Sequence, residues 1–414
     1  MKNLKGACVL GQSGGPTSVI NASAAGVFIE ALAQDAITEI YGAKNGIRGI
    51  LDEDLYDIRK EDLEELELLK TTPSSSIGSV RYKLKDPNVD DTDYKKILEV
   101  FKKYNIRYFF YNGGNDSMDT CNKISKFMQK AGYDCNCIGV PKTIDNDLVI
   151  TDHTPGYGSA AKYIATTMME IHQDACVYDT PMICVCEIMG RNAGWLTAAS
   201  SLANLKNAGP DLIYLPEIDF DFDKFINDVK ICFKKKNKVL IAISEGIKTK
   251  DGKYIPELFG EMSKDSFGHA QLGGAATILA EKLKNHFKCK VRAIEFNLMQ
   301  RCAAHLASET DILEAYNAGR QAVINAVNGV TDKMVAFKRE YVDGKYTCKY
   351  DLVDLALVAN DEKKLPLEWI NKEGNGVTKD FYDYALPLIQ GEMKAPLVDG
   401  LPRFANLKKV LINK

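Results

Sequence analysis

No stretch of this 414-residue sequence is apolar for long enough to cross a bilayer, and its opening residues Met1-Lys2-Asn3-Leu4-Lys5 lack the apolar run of a secretion signal. A soluble, cytoplasmic protein is the expectation. Neither sign of charge is in excess: 53 Lys and Arg against 56 Asp and Glu leave a formal net charge of -3. That balance gives no electrostatic case for nucleic acid or an anionic membrane as partner, and a small anionic ligand would need a local basic patch. The eleven cysteines contain no CxxC pair. Cys135/Cys137 and Cys184/Cys186 instead have the period-two spacing of strand residues sharing a face, which reads as reduced thiols. The histidines His153, His172, His269, His286 and His305 lack metal-ligand spacing with one another and read as structural.

What the chain has is length for two lobes and a repeated alternation of short apolar strands, glycine-rich turns and helices. The apolar run 7–10 empties into Gly11-Gln12-Ser13-Gly14-Gly15-Pro16-Thr17-Ser18 and then an alanine-rich helical pattern over 19–32. A backbone of that kind, at a helix start, can approach an anion closely; a tight turn with no ligand has the same appearance. The aromatic run 107–111 leads to Asn112-Gly113-Gly114-Asn115-Asp116-Ser117, and 135–140 leads to Pro141-Lys142-Thr143-Ile144-Asp145-Asn146-Asp147. Two carboxylates, a lysine and a hydroxyl thus share one loop after a strand, where open α/β sheets hold ligands. The loop 71–79 ends in Gly78-Ser79-Val80-Arg81, hydroxyls and a guanidinium able to meet phosphate oxygens, although an exposed flexible loop would look alike. The acidic stretch 53–67 reads as a solvated helical region.

The second half continues the pattern. A helix over 159–171 precedes a strand over 182–188 and then Met189-Gly190-Arg191-Asn192. Strands are expected over 212–215, 239–243 (ending in Ser244-Glu245-Gly246), 291–296, 334–339 and 352–358, with a long helix over 309–327. Arg292 and Gln300-Arg301 bracket the 291–296 strand, so two guanidiniums are candidates for one cleft. Gly273-Gly274-Ala275 reads as close packing inside a helix, and residues 380–384 as packing and capping.

Taken in order, Gly14-Gly15, Gly113 to Ser117, Pro141 to Asp147, Met189-Gly190-Arg191, Ser244-Glu245-Gly246 and Gln300-Arg301 resemble the motifs of the phosphofructokinases, and more closely those of the pyrophosphate-dependent branch, over about residues 14–301. The resemblance implies two Rossmann-like three-layer α/β lobes with mostly parallel sheets. It divides them into a phosphoryl-donor lobe over 1–157, completed by about 297–414, and a fructose 6-phosphate lobe over 158–296. It implies Mg²⁺ and pyrophosphate at the site, fructose 6-phosphate as acceptor and a homodimer or homotetramer. Residue by residue, Asp145 resembles the base for the sugar 1-hydroxyl, with Thr143 and Asp147 around the reacting centre. Gly14, Gly15, Arg81, Gly114, Asp116, Ser117 and Lys142 fall on the donor side. Thr143, Met189, Gly190, Arg191, Glu245, Arg292 and Arg301 fall on the sugar-phosphate side.

ATP-using relatives typically carry glycine where this chain has Asp116 and Lys142. A carboxylate at the first position would repel a nucleotide's α-phosphate, and an ammonium at the second adds a counter-charge for compact pyrophosphate. Two departures stand out. Asn115 occupies the place of an aspartate that is a Mg²⁺ ligand in most members, and an amide oxygen can coordinate Mg²⁺ but brings no charge. Met182 falls where bacterial ATP-dependent enzymes place an arginine reaching a neighbouring subunit's sugar phosphate, leaving Arg292 for that task. An ATP-dependent kinase and a catalytically silent sugar-phosphate-binding subunit remain the alternatives; retention of Asp145 with Arg191 speaks against the second.

Overall fold

The computed structural model describes residues 4–258, 273–359 and 361–413; the expectation for His269 falls outside them. Strands β1 (Gly6–Gln12), β2 (Ile37–Ala43), β3 (Leu55–Asp57), β4 (Ile106–Gly113), β5 (Asn136–Pro141), β10 (Lys333–Val342) and β11 (Lys345–Asp354) form a seven-stranded sheet in the order β11-β10-β5-β4-β1-β2-β3. Strands β6 (Met182–Ile188), β7 (Leu212–Tyr214), β8 (Lys238–Ser244) and β9 (Lys290–Glu295) form a four-stranded one in the order β7-β8-β6-β9. Within these two sheets all pairings are parallel except β2 with β3 and β10 with β11. The all-apolar runs seen in the sequence are these central strands: β1, β4 and β5 are buried nearly throughout because helices cover both faces.

The alanine-rich helix Ile20–Leu32 and the long helix Glu309–Val327 pack on the same side of the larger sheet, feeding one core with Leu10, Phe110 and Val140. They cross at near backbone contact. A Cβ on Gly26 would lie 2.0 Å from the Tyr316 carbonyl oxygen and one on Gly319 would lie 2.1 Å from that of Ser23, so only glycine permits the approach. Cys184 and Cys186 face one core and Cys135 and Cys137 another, all as free thiols. No helix among the described residues is long and apolar enough to cross a membrane.

Register brings the motif loops together. Gln12 pairs with Asn112 and Gly113 with Pro141, so the loops after β1, β4 and β5 leave one sheet edge side by side. In the smaller sheet Ile188 pairs with Ser244, which sets Met189 beside Glu245. Three local expectations are corrected. The acidic stretch 53–67 is not one helix but β3, a 3₁₀ turn at Ile58–Lys60 and a short helix at Leu63–Leu68; Leu55, Ile58 and Leu66 are buried there, and Glu53 binds Lys96 and Lys103 at 2.7 Å each. The 352–358 strand ends at Asp354, and Leu355–Val358 turns into helix to bury Leu355 and Val358. Gly273 and Gly274 precede rather than interrupt the helix Ala275–His286, Gly274 being its left-handed N-cap.

Candidate active site

Lys142 is the first residue past β5, and only 3 % of it is exposed, so a solvated surface lysine is ruled out. Its Nζ donates to the Gly15 carbonyl oxygen at 2.6 Å and would lie 3.3 Å from a Cβ on Gly14, which plants an ammonium directly under the first glycine-rich loop. Burial pulls its pKa down to about 8 against the opposing pull of Asp145. Arg301 reaches the same loop: its Nη1 would lie 3.0 Å from a Cβ on Gly15. Its guanidinium also acts on Asp145 and Glu245, so it stands between the two candidate half-sites rather than wholly on the sugar side.

The serine-rich loop is stitched to the glycine loop rather than left flexible. Gly14 N–H donates to the Val80 carbonyl at 3.2 Å, Ser79 Oγ to the Gly14 carbonyl at 2.6 Å and Ser75 Oγ to Gln12 Oε1 at 2.7 Å. Arg81 follows on the solvent side, close enough for its charge to act on Lys142 and Arg301. From β4, Gly114 caps the helix Asn115–Lys130; Asp116 lies in its first turn, half exposed, 3.9 Å from Lys83, and Ser117 packs buried against Gly113.

Thr143 Oγ1 accepts from the Asp145 N–H at 3.1 Å, which fixes the turn that presents Asp145. Burial raises the Asp145 pKa, Lys142, Arg191 and Arg301 draw it back, and Glu362 adds to the rise. Asp147 is pushed up to about 7 by burial and then by the charges of Asp145 and Glu362. On the other sheet, Gly190 N–H donates to Glu245 Oε1 at 3.3 Å and Met189 N–H to Gln300 Oε1 at 3.1 Å. A Cβ on Gly246 would sit 1.9 Å from the Arg191 carbonyl oxygen, so glycine is what lets this loop lie flat on β8's end. Burial lifts Glu245 to about 7. Asp145, Arg191, Arg301 and Glu245 therefore share one field, which is how the two motif sets meet.

Arg292 does not join them within this chain. It sits mid-strand on β9, the edge of the smaller sheet, opposite Cys184 and exposed to solvent, three residues before the strand end at Glu295 that leads on to Arg301. Conversely, sequence reasoning missed residues 361–365. Their run of charges carries no motif, yet Asp361, Glu362 and Lys363 touch Asn115, Asn192 and Asp147 respectively.

One observation bears on a metal ion. Asn115 Nδ2 donates to the Asp361 carbonyl at 2.6 Å, while its Oδ1 is buried with no hydrogen-bond partner. A hard oxygen left unsatisfied at a helix start beside these loops fits a divalent cation.

A family model described as phosphofructokinase matches residues 7–323. The chain is 45% identical over 404 residues to the pyrophosphate--fructose 6-phosphate 1-phosphotransferase of Halomonas elongata, covering 96% of this chain and 95% of that protein. It is 42% identical over 408 residues to the protein of the same name from Methylococcus capsulatus, covering 97% and 96%. The crystal structure of a pyrophosphate-dependent phosphofructokinase from Nitrosospira multiformis superposes with a TM-score of 0.88 at 40% identity, covering 99% of this chain and 98% of that one.

Proposed function

Because this chain belongs to the phosphofructokinase family, we propose that it transfers phosphate reversibly from pyrophosphate to the 1-hydroxyl of fructose 6-phosphate, giving fructose 1,6-bisphosphate and phosphate. The observation that carries the donor assignment is Lys142: a buried ammonium under Gly14 and Gly15 takes up the space and supplies the charge that suit a compact, multiply charged donor. The lobe of the seven-stranded sheet binds this donor and the lobe of the four-stranded sheet binds the sugar phosphate.

Asp145 accepts the proton of the 1-hydroxyl as that oxygen attacks the donor phosphorus, and the bond to the departing phosphate breaks. Burial raises the proton affinity of Asp145, which strengthens it as a base. Lys142 and Arg301 balance negative charge on the transferred and leaving groups, and Arg81 holds the donor from the solvent side. Gly14, Gly114 and Ser117 line the donor pocket with backbone and hydroxyl groups. Met189, Gly190 and Arg191 hold the sugar phosphate, and Glu245 accepts from a sugar hydroxyl. Asn115 Oδ1 would hold Mg²⁺ together with donor oxygens; when bound, the ion draws charge off the pyrophosphate. Arg292, exposed on an edge strand, serves the sugar phosphate of a neighbouring copy in a homodimer or homotetramer; a chain that sediments as an active monomer would remove that role.

Initial rates with pyrophosphate and with ATP, side by side at fixed Mg²⁺ and fructose 6-phosphate, test the donor assignment. The native chain turns over pyrophosphate with little ATP use. In the Asp116→Gly, Lys142→Gly double variant the ATP to pyrophosphate ratio of kcat/KM rises by about 100-fold or more, beyond the product of the single changes. A native preference for ATP, or an unchanged ratio in the double variant, defeats it.

A further inference from the structure

The segment 361–365 has no regular secondary structure and lies more than two hundred residues from the base loop, yet it runs between the loop ends of both sheets. On the side of the larger sheet, the Asp361 carbonyl accepts from Asn115 Nδ2 at 2.6 Å, and Lys363 N–H donates to the Asp147 carbonyl at 2.7 Å. Lys363 Nζ donates to the carbonyls of Thr151 at 3.1 Å and Asp152 at 2.7 Å. Facing the smaller sheet, Glu362 Oε1 accepts from Asn192 Nδ2 at 2.9 Å, and the Lys363 carbonyl accepts from Trp195 Nε1 at 2.9 Å. Glu217 Oε1 accepts both from Gly194 N–H at 2.8 Å and from Leu365 N–H at 3.0 Å. Asn192, Gly194 and Trp195 are the continuation of the Arg191 loop.

Such a pattern is not that of a tail lying on a surface. Its ties alternate between the loop that presents Asp145 and Asp147 and the loop that presents Arg191. One backbone N–H, one backbone carbonyl and one side chain of the segment are spent on each half of the cleft. We propose that 361–365 is a strap that sets the two half-sites in register, with Glu362 the positioning residue for the Arg191 loop and Lys363 the positioning residue for the Asp147 loop. This rests on the reading that the Arg191 loop holds the sugar phosphate and that Asp145 is the base.

The two positioning residues carry opposite charges, and this provides a readout that structural damage would not imitate. The charges acting on Asp145 are Lys142, Arg191, Arg301 and Glu362, and those acting on Asp147 are Asp145, Glu362 and Lys363. Glu362 favours protonation of both carboxylates, and Lys363 opposes protonation of Asp147. With turnover requiring Asp145 and Asp147 both ionised, removing Glu362 moves the acidic limb of kcat to lower pH, and removing Lys363 moves it to higher pH through Asp147.

The experiment is steady-state kinetics of the full chain across pH for Glu362→Ala, Glu362→Gln and Lys363→Met, with thermal unfolding in parallel. In Glu362→Ala, KM for fructose 6-phosphate rises about 5-fold, as for one lost hydrogen bond, while KM for pyrophosphate stays within about 2-fold. Glu362→Gln, which keeps an acceptor for Asn192 but not the charge, recovers the KM and retains the shifted pH limb. Lys363→Met lowers kcat and shifts the limb upward. Limbs that move the same way or not at all, a KM rise shared equally by both substrates, or no recovery in Glu362→Gln overturns the proposal; should Lys363→Met fail to fold, the exposed Glu362 pair decides alone. Arg191→Ala separates the two levels of argument. If it leaves KM for fructose 6-phosphate unchanged, the site reading itself is wrong; if it raises that KM and the Glu362 variants do nothing, only the strap fails.

Discussion

Two clusters of ionisable side chains lie next to each other in this protein, and they are compensated in different ways. Around His153, each charge has a partner in direct contact: Nδ1 lies 2.8 Å from Asp152 and Nε2 2.6 Å from Glu314, Arg339 Nη2 binds Asp152 at 3.0 Å, and Tyr346 donates to Glu314 at 2.7 Å. Burial alone would pull the His153 pKa down, but Glu314 and Asp152 outweigh it and hold the imidazolium up at about 9. Cys348 completes a group with metal-like spacing, yet both imidazole nitrogens are already occupied and the charges balance without an ion. Around Asp145 the compensation acts through space, from Lys142, Arg191 and Arg301, while Lys142 spends its hydrogen bond on a carbonyl. Paired charges hold a fold together, whereas charges balanced at a distance are left able to meet a substrate. Asn146, between the carboxylates, joins the clusters: it donates to Tyr384 Oη at 2.7 Å, which donates to the Asp152 carbonyl at 2.8 Å.

The largest expected effect comes from taking the base out of the cluster around Lys142. Asp145→Asn lowers kcat by about 10²- to 10⁴-fold while fructose 6-phosphate binding, read by equilibrium titration, is largely kept. Near-native kcat in that variant would show that another group takes the proton.

Removing one arginine from each cluster sharpens the contrast. Arg301→Ala lowers kcat/KM by about 10- to 100-fold, raising KM for both substrates, with little change in unfolding midpoint. Arg339→Ala leaves Asp152 without its guanidinium and destabilises the fold by about 3 kcal/mol in denaturant titration. Equal stability losses in the two variants would erase the distinction.

The last effect is a pH dependence of stability. The folded pKa of His153 lies above its ordinary value of 6.5, so its contribution is fully present below about 6.5 and is lost as pH rises through about 9. Unfolding free energies measured from pH 6 to 10 therefore fall over that window, and His153→Gln flattens the fall. An unchanged slope in His153→Gln would assign the titration to other groups.

Much of the fold was legible because its signals are local. β6 and the helix Glu309–Val327 run between the residues expected, since unbroken apolar strands and a long amphipathic period need no distant partner to be recognised. Stretch 53–67 was misread for the opposite reason: its many carboxylates hide Leu55, Ile58 and Leu66, whose burial depends on what packs over them.

Within the site, the sequence alone determined the chemistry on offer: which loops follow strands, and that Lys142, Asp145 and Asp147 share one of them. Tertiary structure decided the rest. It buried Lys142 under a loop more than a hundred residues away, drew Arg301 to Gly15 while β9 turned Arg292 outward, and brought Glu362 and Lys363 across from a stretch with no motif. The physical reason is that a side chain's identity is local, whereas its burial, field and partners are set by strand register and by segments far away in the chain.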